Sequence, residues 1–135
     1  MTDVVETLQV GDTLATARRQ IERGGIHHLP VIDDQERVIG LITYHRVLEA
    51  WIAGERANAG SAASAPDQIR IETVMEKDVL TVDIGTSAAD AARLLDKNRF
   101  GSLPVTEDEK LVGIVTAADF LRVALRYLER DQHQL

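Results

Sequence analysis

The 135-residue chain has no cysteine. That removes a disulfide frame, a thiolate nucleophile and a cysteine-based zinc site together, and it suits a reducing compartment. No cluster of basic residues stands out, and the net charge is −7. A nucleic-acid binder shows a basic face, so that partner class is set aside. An acidic chain can still hold an anionic small ligand where a local site is positive. No apolar run approaches the ~20 residues needed to span a bilayer. The first residues, Met1 to Glu6, are acidic and lack a signal-peptide pattern. The expectation is a cytoplasmic protein with no membrane partner. Also missing are a Ser/His/Asp order, metal-ligand spacing and a Gly-rich phosphate loop ending in Lys-Ser/Thr. No catalytic residue, metal ligand or catalytic cofactor is therefore nominated, and the chain is not read as an enzyme.

What is present is a duplication. Apolar residues make up 44% of the chain, enough for one compact domain or two small ones sharing a core. Val5, Glu6, Thr7 and Leu8 lie 74 positions before Val79, Leu80, Thr81 and Val82, and Leu29-Pro30-Val31 precedes Leu103-Pro104-Val105 by the same offset. The offset then falls to 73, so that Val38-Ile39-Gly40-Leu41-Ile42-Thr43 matches Leu111-Val112-Gly113-Ile114-Val115-Thr116. With Ala17 matching Ala91 and Ile21 matching Leu95 as well, the 74-residue offset holds across three separate elements, and with one residue then lost in a turn it marks an internal repeat.

Each copy reads as strand, helix, strand, strand, helix. In the first, a short strand near Val5–Leu8 leads through Gly11-Asp12-Thr13, which carries helix-capping chemistry. A helix from about Leu14 to Arg23 follows, with Leu14, Ala17 and Ile21 on one face and Gly24-Gly25 ending it. Leu29–Ile32 and Arg37–Thr43 form a hairpin across the polar turn at Asp33, Asp34 and Glu36. The second helix carries Val47, Leu48, Trp51 and Ile52 at helical spacing, which reads as packing or a dimer seam. Gly54 to Pro66 reads as a flexible linker, with an Ala-rich continuation of the helix as far as Ala57 as the alternative. In the second copy, Ile71–Met75 is a helical turn and Val79–Val82 a strand. A helix over Thr86–Asn98 buries Ala88, Ala91, Leu94 and Leu95. Strands occupy Ser102–Thr106 and Lys110–Val115. A last helix over Ala117–Glu129 carries Phe120, Leu121, Ala124, Leu125 and Leu128 on its apolar side. The expected division is 1–53 and 69–131 for the two motifs, 54–68 for the linker and 132–135 for a frayed tail.

The chemistry concentrates where the second copy's hairpin strand turns into its last helix. Thr116 ends the strand and Asp119 sits in the first helical turn, beside free backbone N–H groups. Such a corner can hold a polyol or a phosphate. It is also nearly a capping box, which steadies helix starts in any protein, and the two roles can coexist.

With Gly-Ile-His-His-Leu-Pro-Val…Gly-Leu-Ile-Thr in one copy and Phe-Gly-Ser-Leu-Pro-Val…Gly-Ile-Val-Thr-x-x-Asp in the other, the chain from about Val4 to Tyr127 resembles a tandem pair of CBS (cystathionine-β-synthase-type) domains, a Bateman module. The resemblance implies an α/β (α+β) fold of two β-α-β-β-α motifs packed through their sheets with pseudo-twofold symmetry. It also implies a regulatory role, dimers, and an adenosine-containing ligand in the cleft between the motifs. In that family the Thr-x-x-Asp hydroxyl lies near phosphate and the carboxylate on the ribose hydroxyls, roles that fall on Thr116 and Asp119, with Ala117 beside them. A carboxylate suits a vicinal diol, since charge-assisted bonds are the stronger ones. Val79 and Thr81 match positions flanking the adenine. His27, His28 and Ser102, just before Leu-Pro-Val, match phosphate contacts, with Leu103 and Pro104 next to Ser102. In the first copy Thr43 is kept, but Arg46 replaces the acid. A guanidinium cannot accept from ribose hydroxyls; Arg46 would offer a cation to phosphate or plug the cleft.

The other readings weighed are plainer. His27 and His28, adjacent on a strand, face opposite ways and cannot ligate one ion, so a surface pair is the bland alternative. Arg122, Arg126 and Arg130 form an exposed stripe at four-residue spacing. The acidic turns, including Glu107, Asp108 and Glu109, are solvated loops. Gly40 and Gly113 permit close backbone approach. The leading function is a regulatory, energy-sensing module binding an adenine nucleotide (AMP first, then ADP or ATP), forming a homodimer and signalling to an effector protein on another chain. The alternatives are a ligand-free dimerising scaffold and a divalent-cation sensor.

Overall fold

The computed structural model describes residues 6–58, 65–97 and 101–131. The chain divides into two compact units. One holds Glu6–Val79 with Asp108–Leu111, and the other holds Leu80–Glu107 with Val112–Leu135.

In the first unit the order is β1 (Leu8–Gln9), α1 (Leu14–Gly24), β2 (His28–Ile32), β3 (Val38–Thr43) and α2 (Tyr44–Asn58). The sheet order is β1-β2-β3. β1 runs parallel to β2 through Leu8–Val31, and β2 pairs antiparallel with β3. Helix α1 starts because Thr13, in extended backbone, turns its hydroxyl to the Thr16 N–H at 3.5 Å. It stops because Gly25 takes the left-handed conformation at φ 61° and returns its N–H to the Ile21 carbonyl, a geometry that costs glycine little. The face of Leu14, Ala17 and Ile21 is buried as its spacing requires, and with Leu8, Leu29, Val31, Ile42, Val47 and Ile71 it forms the core. Trp51 packs against this core and carries the Arg18 guanidinium 4.6 Å from its ring centre, so packing is what this residue does here. Ile52 stays exposed. Helix α2 runs to Asn58, the Ala-rich continuation rather than a linker beginning at Gly54. Of the rest of the expected 54–68 linker, 59–64 lies outside the described residues, and Pro66–Gln68 forms a short 3-10 turn rather than a flexible stretch.

The second unit repeats the pattern as β4 (Val82–Asp83), α3 (Ala88–Lys97), β5 (Ser102–Glu107), β6 (Lys110–Thr116) and α4 (Ala117–Asp131), with sheet order β4-β5-β6. Its core is Val82, Ala91, Leu95, Leu103 and Val105. The hairpin turn is only Asp108-Glu109, both at positive φ (51° and 68°), the two-residue arrangement that matches strand twist.

Three expectations are corrected. The opening strands are shorter and later than read: β1 begins at Leu8 and β4 at Val82, because parallel pairing with β2 and β5 starts only there. Helix α3 begins at Ala88 because the Ser87 hydroxyl, 3.1 Å from the Asp90 N–H, caps it; Ala88 is consequently exposed rather than buried. The apolar side of α4 is covered only at its start among the described residues, where Phe120 packs half-buried against the second core. The helix has no buried residue, and Leu121, Leu125 and Leu128 are all at least half exposed.

Candidate functional site

Helix α4 opens on a completed capping box. The Thr116 hydroxyl accepts the Asp119 N–H (3.3 Å), and the Asp119 Oδ2 accepts the Thr116 N–H (2.9 Å). The remaining carboxylate oxygen, Oδ1, takes the Arg122 guanidinium at 2.9 Å, one turn further along. The side chain of Asp119 is 19% exposed and that of Arg122 66%. Burial pushes against the charge on Asp119. The Thr116 amide, and after it the Arg122 guanidinium and the Thr116 hydroxyl, pull the other way, and the carboxyl sits below its usual range. Asp119 is therefore ionised at neutral pH. Two of its roughly four acceptor positions are taken, which leaves enough for a further pair of donors.

Asp119 also lines a hollow of about 600 Å³ in the second unit, within the range of small-molecule sites. Val82, Ala91, Val105, Val115, Phe120 and Val123 give it apolar walls. Asp83, Thr86, Asp119, Arg122 and Arg126 supply its polar groups. Asp83 is held by a turn, its Oδ2 accepting the Gly85 N–H at 2.8 Å.

Of the other residues nominated in this unit, Thr116 is half-buried and Ala117 exposed at the start of α4, and neither lines the hollow. Ser102, Leu103 and Pro104 are buried in β5 and do not line the hollow. Thr81 is exposed just before β4. Val79, half-buried, belongs to the first unit with His28, Thr43 and Arg46. Arg122 and Arg126, read as an exposed stripe, are the polar residues missed. Their signal was spacing: Arg122 is three residues after Asp119, on one helix face.

The first copy uses the same corner differently. The Thr43 hydroxyl accepts the Arg46 N–H at 3.2 Å, so the helix cap is kept. The Arg46 Nε donates to the Val74 carbonyl at 3.0 Å. The segment that Arg46 holds is stitched to this unit by backbone bonds as well: Leu41 and Glu76 exchange N–H and carbonyl at 2.9 Å each, and Ile71 N–H reaches Asp12. Met75 packs over Gly40, where a Cβ would lie 2.9 Å from the Met75 Cγ. His28 is half-buried in β2. Burial, then the neighbouring His27, lowers its pKa, and its Nδ1 finds no partner among the described residues. His27 itself meets the Tyr44 ring edge-on, the centroids 5.8 Å apart. Among the described residues no group of three or more His, Asp or Glu side chains could hold a metal ion, and no helix is long and apolar enough to cross a membrane.

The CBS domain model matches residues 1–53 and 71–126. The chain belongs to the CBS domain family. Both β-α-β-β-α units are thus CBS motifs, and the chain is a tandem CBS pair. It is similar to the inosine-5'-monophosphate dehydrogenase of Methanocaldococcus jannaschii, 30% identical over 121 residues; these cover 89% of this chain and 21% of that enzyme. The fold matches that of a Vibrio cholerae protein assigned to acetoin utilization (AcuB), with a TM-score of 0.82, 27% identity, and coverage of 98% of this chain and 93% of the other. It also matches CBSX2 in complex with AMP, with a TM-score of 0.76, 26% identity, and coverage of 94% and 93%. The chain spans less than a third of the length of the first curated relatives it matches.

Proposed function

We propose that this CBS pair is a regulatory module that binds an adenine nucleotide, AMP first, at the Asp119 corner of the second CBS motif. The supporting observation is Asp119 itself, an ionised and largely buried carboxylate with acceptor positions left, on the wall of a hollow with apolar sides. A vicinal diol needs such an acceptor, and a flat heteroaromatic ring needs such sides. The resemblance of the fold to CBSX2 bound to AMP supports the same reading. Thr116 serves the site by holding Asp119. Arg46 has no acceptor to offer a ribose and is engaged with the Val74 carbonyl and Glu49, so the corresponding corner of the first motif contributes no ribose acceptor, and one nucleoside is bound per chain. The module is regulatory rather than catalytic, and signals to an effector on another chain. A nucleotide does this by binding one arrangement of the module better than another. The exposed Leu121, Leu125 and Leu128 side of α4 supports self-association as a homodimer.

Thermal unfolding with AMP, ADP and ATP tests the reading. A ligand at a hundred times its Kd adds about 2.7 kcal/mol of stability, and an Asp119→Ala chain should gain none relative to its own ligand-free baseline. A flat panel on the native chain would favour the ligand-free scaffold. A shift that persists in Asp119→Ala would remove Asp119 from the site.

A further inference from the structure

We infer that the hollow beside Asp119 selects for an anionic ligand, and that Arg126, with Arg122, is what reads the charge. This rests on the nucleotide reading above and adds where the phosphate goes. The Thr-x-x-Asp resemblance sends phosphate to the Thr116 hydroxyl. Here that hydroxyl is turned to the Asp119 N–H and lies off the hollow. The cations that do line the hollow come from further along α4.

Arg122 and Arg126 are four residues apart and share a helix face. Arg122 is engaged with Asp119. Arg126 makes no ion pair among the described residues, and it is exposed at the wall of the hollow. The hollow's other carboxylate, Asp83, is held at its turn by the Gly85 N–H. Arg126 is therefore the cation with charge to offer. Seven residues of helix set it about 10 Å along the axis from Asp119. That span suits a ligand whose diol rests on Asp119 while its 5'-phosphate end reaches along α4. A planar guanidinium matches phosphate oxygens two at a time. A neutral nucleoside leaves Arg126 unused, and a sulfonium such as S-adenosylmethionine meets repulsion there.

Calorimetric titration with adenosine, AMP, ATP and S-adenosylmethionine decides it. The native chain should bind AMP at least about tenfold more tightly than adenosine, the size expected for a charge-assisted contact. S-adenosylmethionine should bind no better than adenosine. Arg126→Gln should bring AMP and adenosine within about threefold while leaving adenosine unchanged, and Arg126→Lys should keep part of the preference. Arg93→Gln, which removes an exposed cation of α3 paired with Asp90, should leave the preference intact. If adenosine binds and AMP binds no tighter, or if Arg126→Gln keeps the full preference, the inference fails and the nucleotide reading stands. If no adenosine compound binds, both fail together.

Discussion

Truncating Asp119 to alanine gives a stability change that can be worked out from the contacts of one carboxylate. The bond it accepts from the Thr116 N–H is charge-assisted, a class of contact worth about 1.5–3 kcal/mol. Its pair with Arg122 has an exposed partner and adds at most about 1 kcal/mol after solvent screening. These contributions overlap, and water will reach the freed amide at the helix start. We expect a net loss of about 2 kcal/mol at pH 7. At about 2.1 cal/mol/K of unfolding entropy per residue, a 135-residue chain should then lose about 7 °C in Tm. The pH dependence has a fixed sign. The folded carboxyl is held below its ordinary value, so its contribution is complete above about pH 4 and is lost as the pH falls through the lowered value. Urea unfolding of the native and Asp119→Ala chains at pH 7, and in steps down toward about pH 2, should show the gap closing in acid. A gap below about 0.5 kcal/mol at pH 7, the range of an ordinary surface substitution, would refute the capping-box account. So would a gap that stays constant into acid.

Three further outcomes follow from the same contacts. Gly40→Ala pushes a Cβ against the Met75 side chain, whose unbranched end can swing aside, so it should cost about 1 kcal/mol or less in urea unfolding, the low end of an overpacking change; a loss above about 3 kcal/mol would mean that Met75 cannot yield. His28 is held toward its neutral form, so the unfolded chain takes up its proton first and stability should fall as the pH drops below about 6.5. His28→Gln should flatten that slope, and parallel pH profiles would sink the idea. Leu121→Glu with Leu125→Glu should weaken self-association measured by sedimentation more than a hundredfold, since each buried leucine is worth about 1.5–3 kcal/mol and each copy brings two; an unchanged sedimentation profile would take α4 out of the interface.

The frame of the molecule was readable because duplication fixes every element twice. The faces of Leu14, Ala17 and Ile21 on α1, and of Ala91 and Leu95 on α3, fall where period 3.6 puts them. What escaped the sequence were contacts that periodicity does not encode. The first residue of a parallel strand depends on where its partner lies, hence the late starts of β1 and β4. Thr116 and Asp119 announced both a cap and a site, and the geometry gives the cap outright. Arg122 and Arg126 were legible as a stripe, but spacing alone could not show that the stripe borders a hollow. Arg46 was legible as a departure from its repeat, yet its partner, the Val74 carbonyl, lies 28 positions away.

That partnership changes what a half of this molecule is. By sequence, Ile71 opens the second repeat; by contact it sits fully buried in the core of the first, with Arg46 and Leu41 gripping the residues that follow it. A chimera that grafted a foreign second repeat at residue 70 would import a stranger's side chain into the middle of the native first core. The duplicated halves are interchangeable only if this short strap travels with the repeat it fastens rather than with the one it spells.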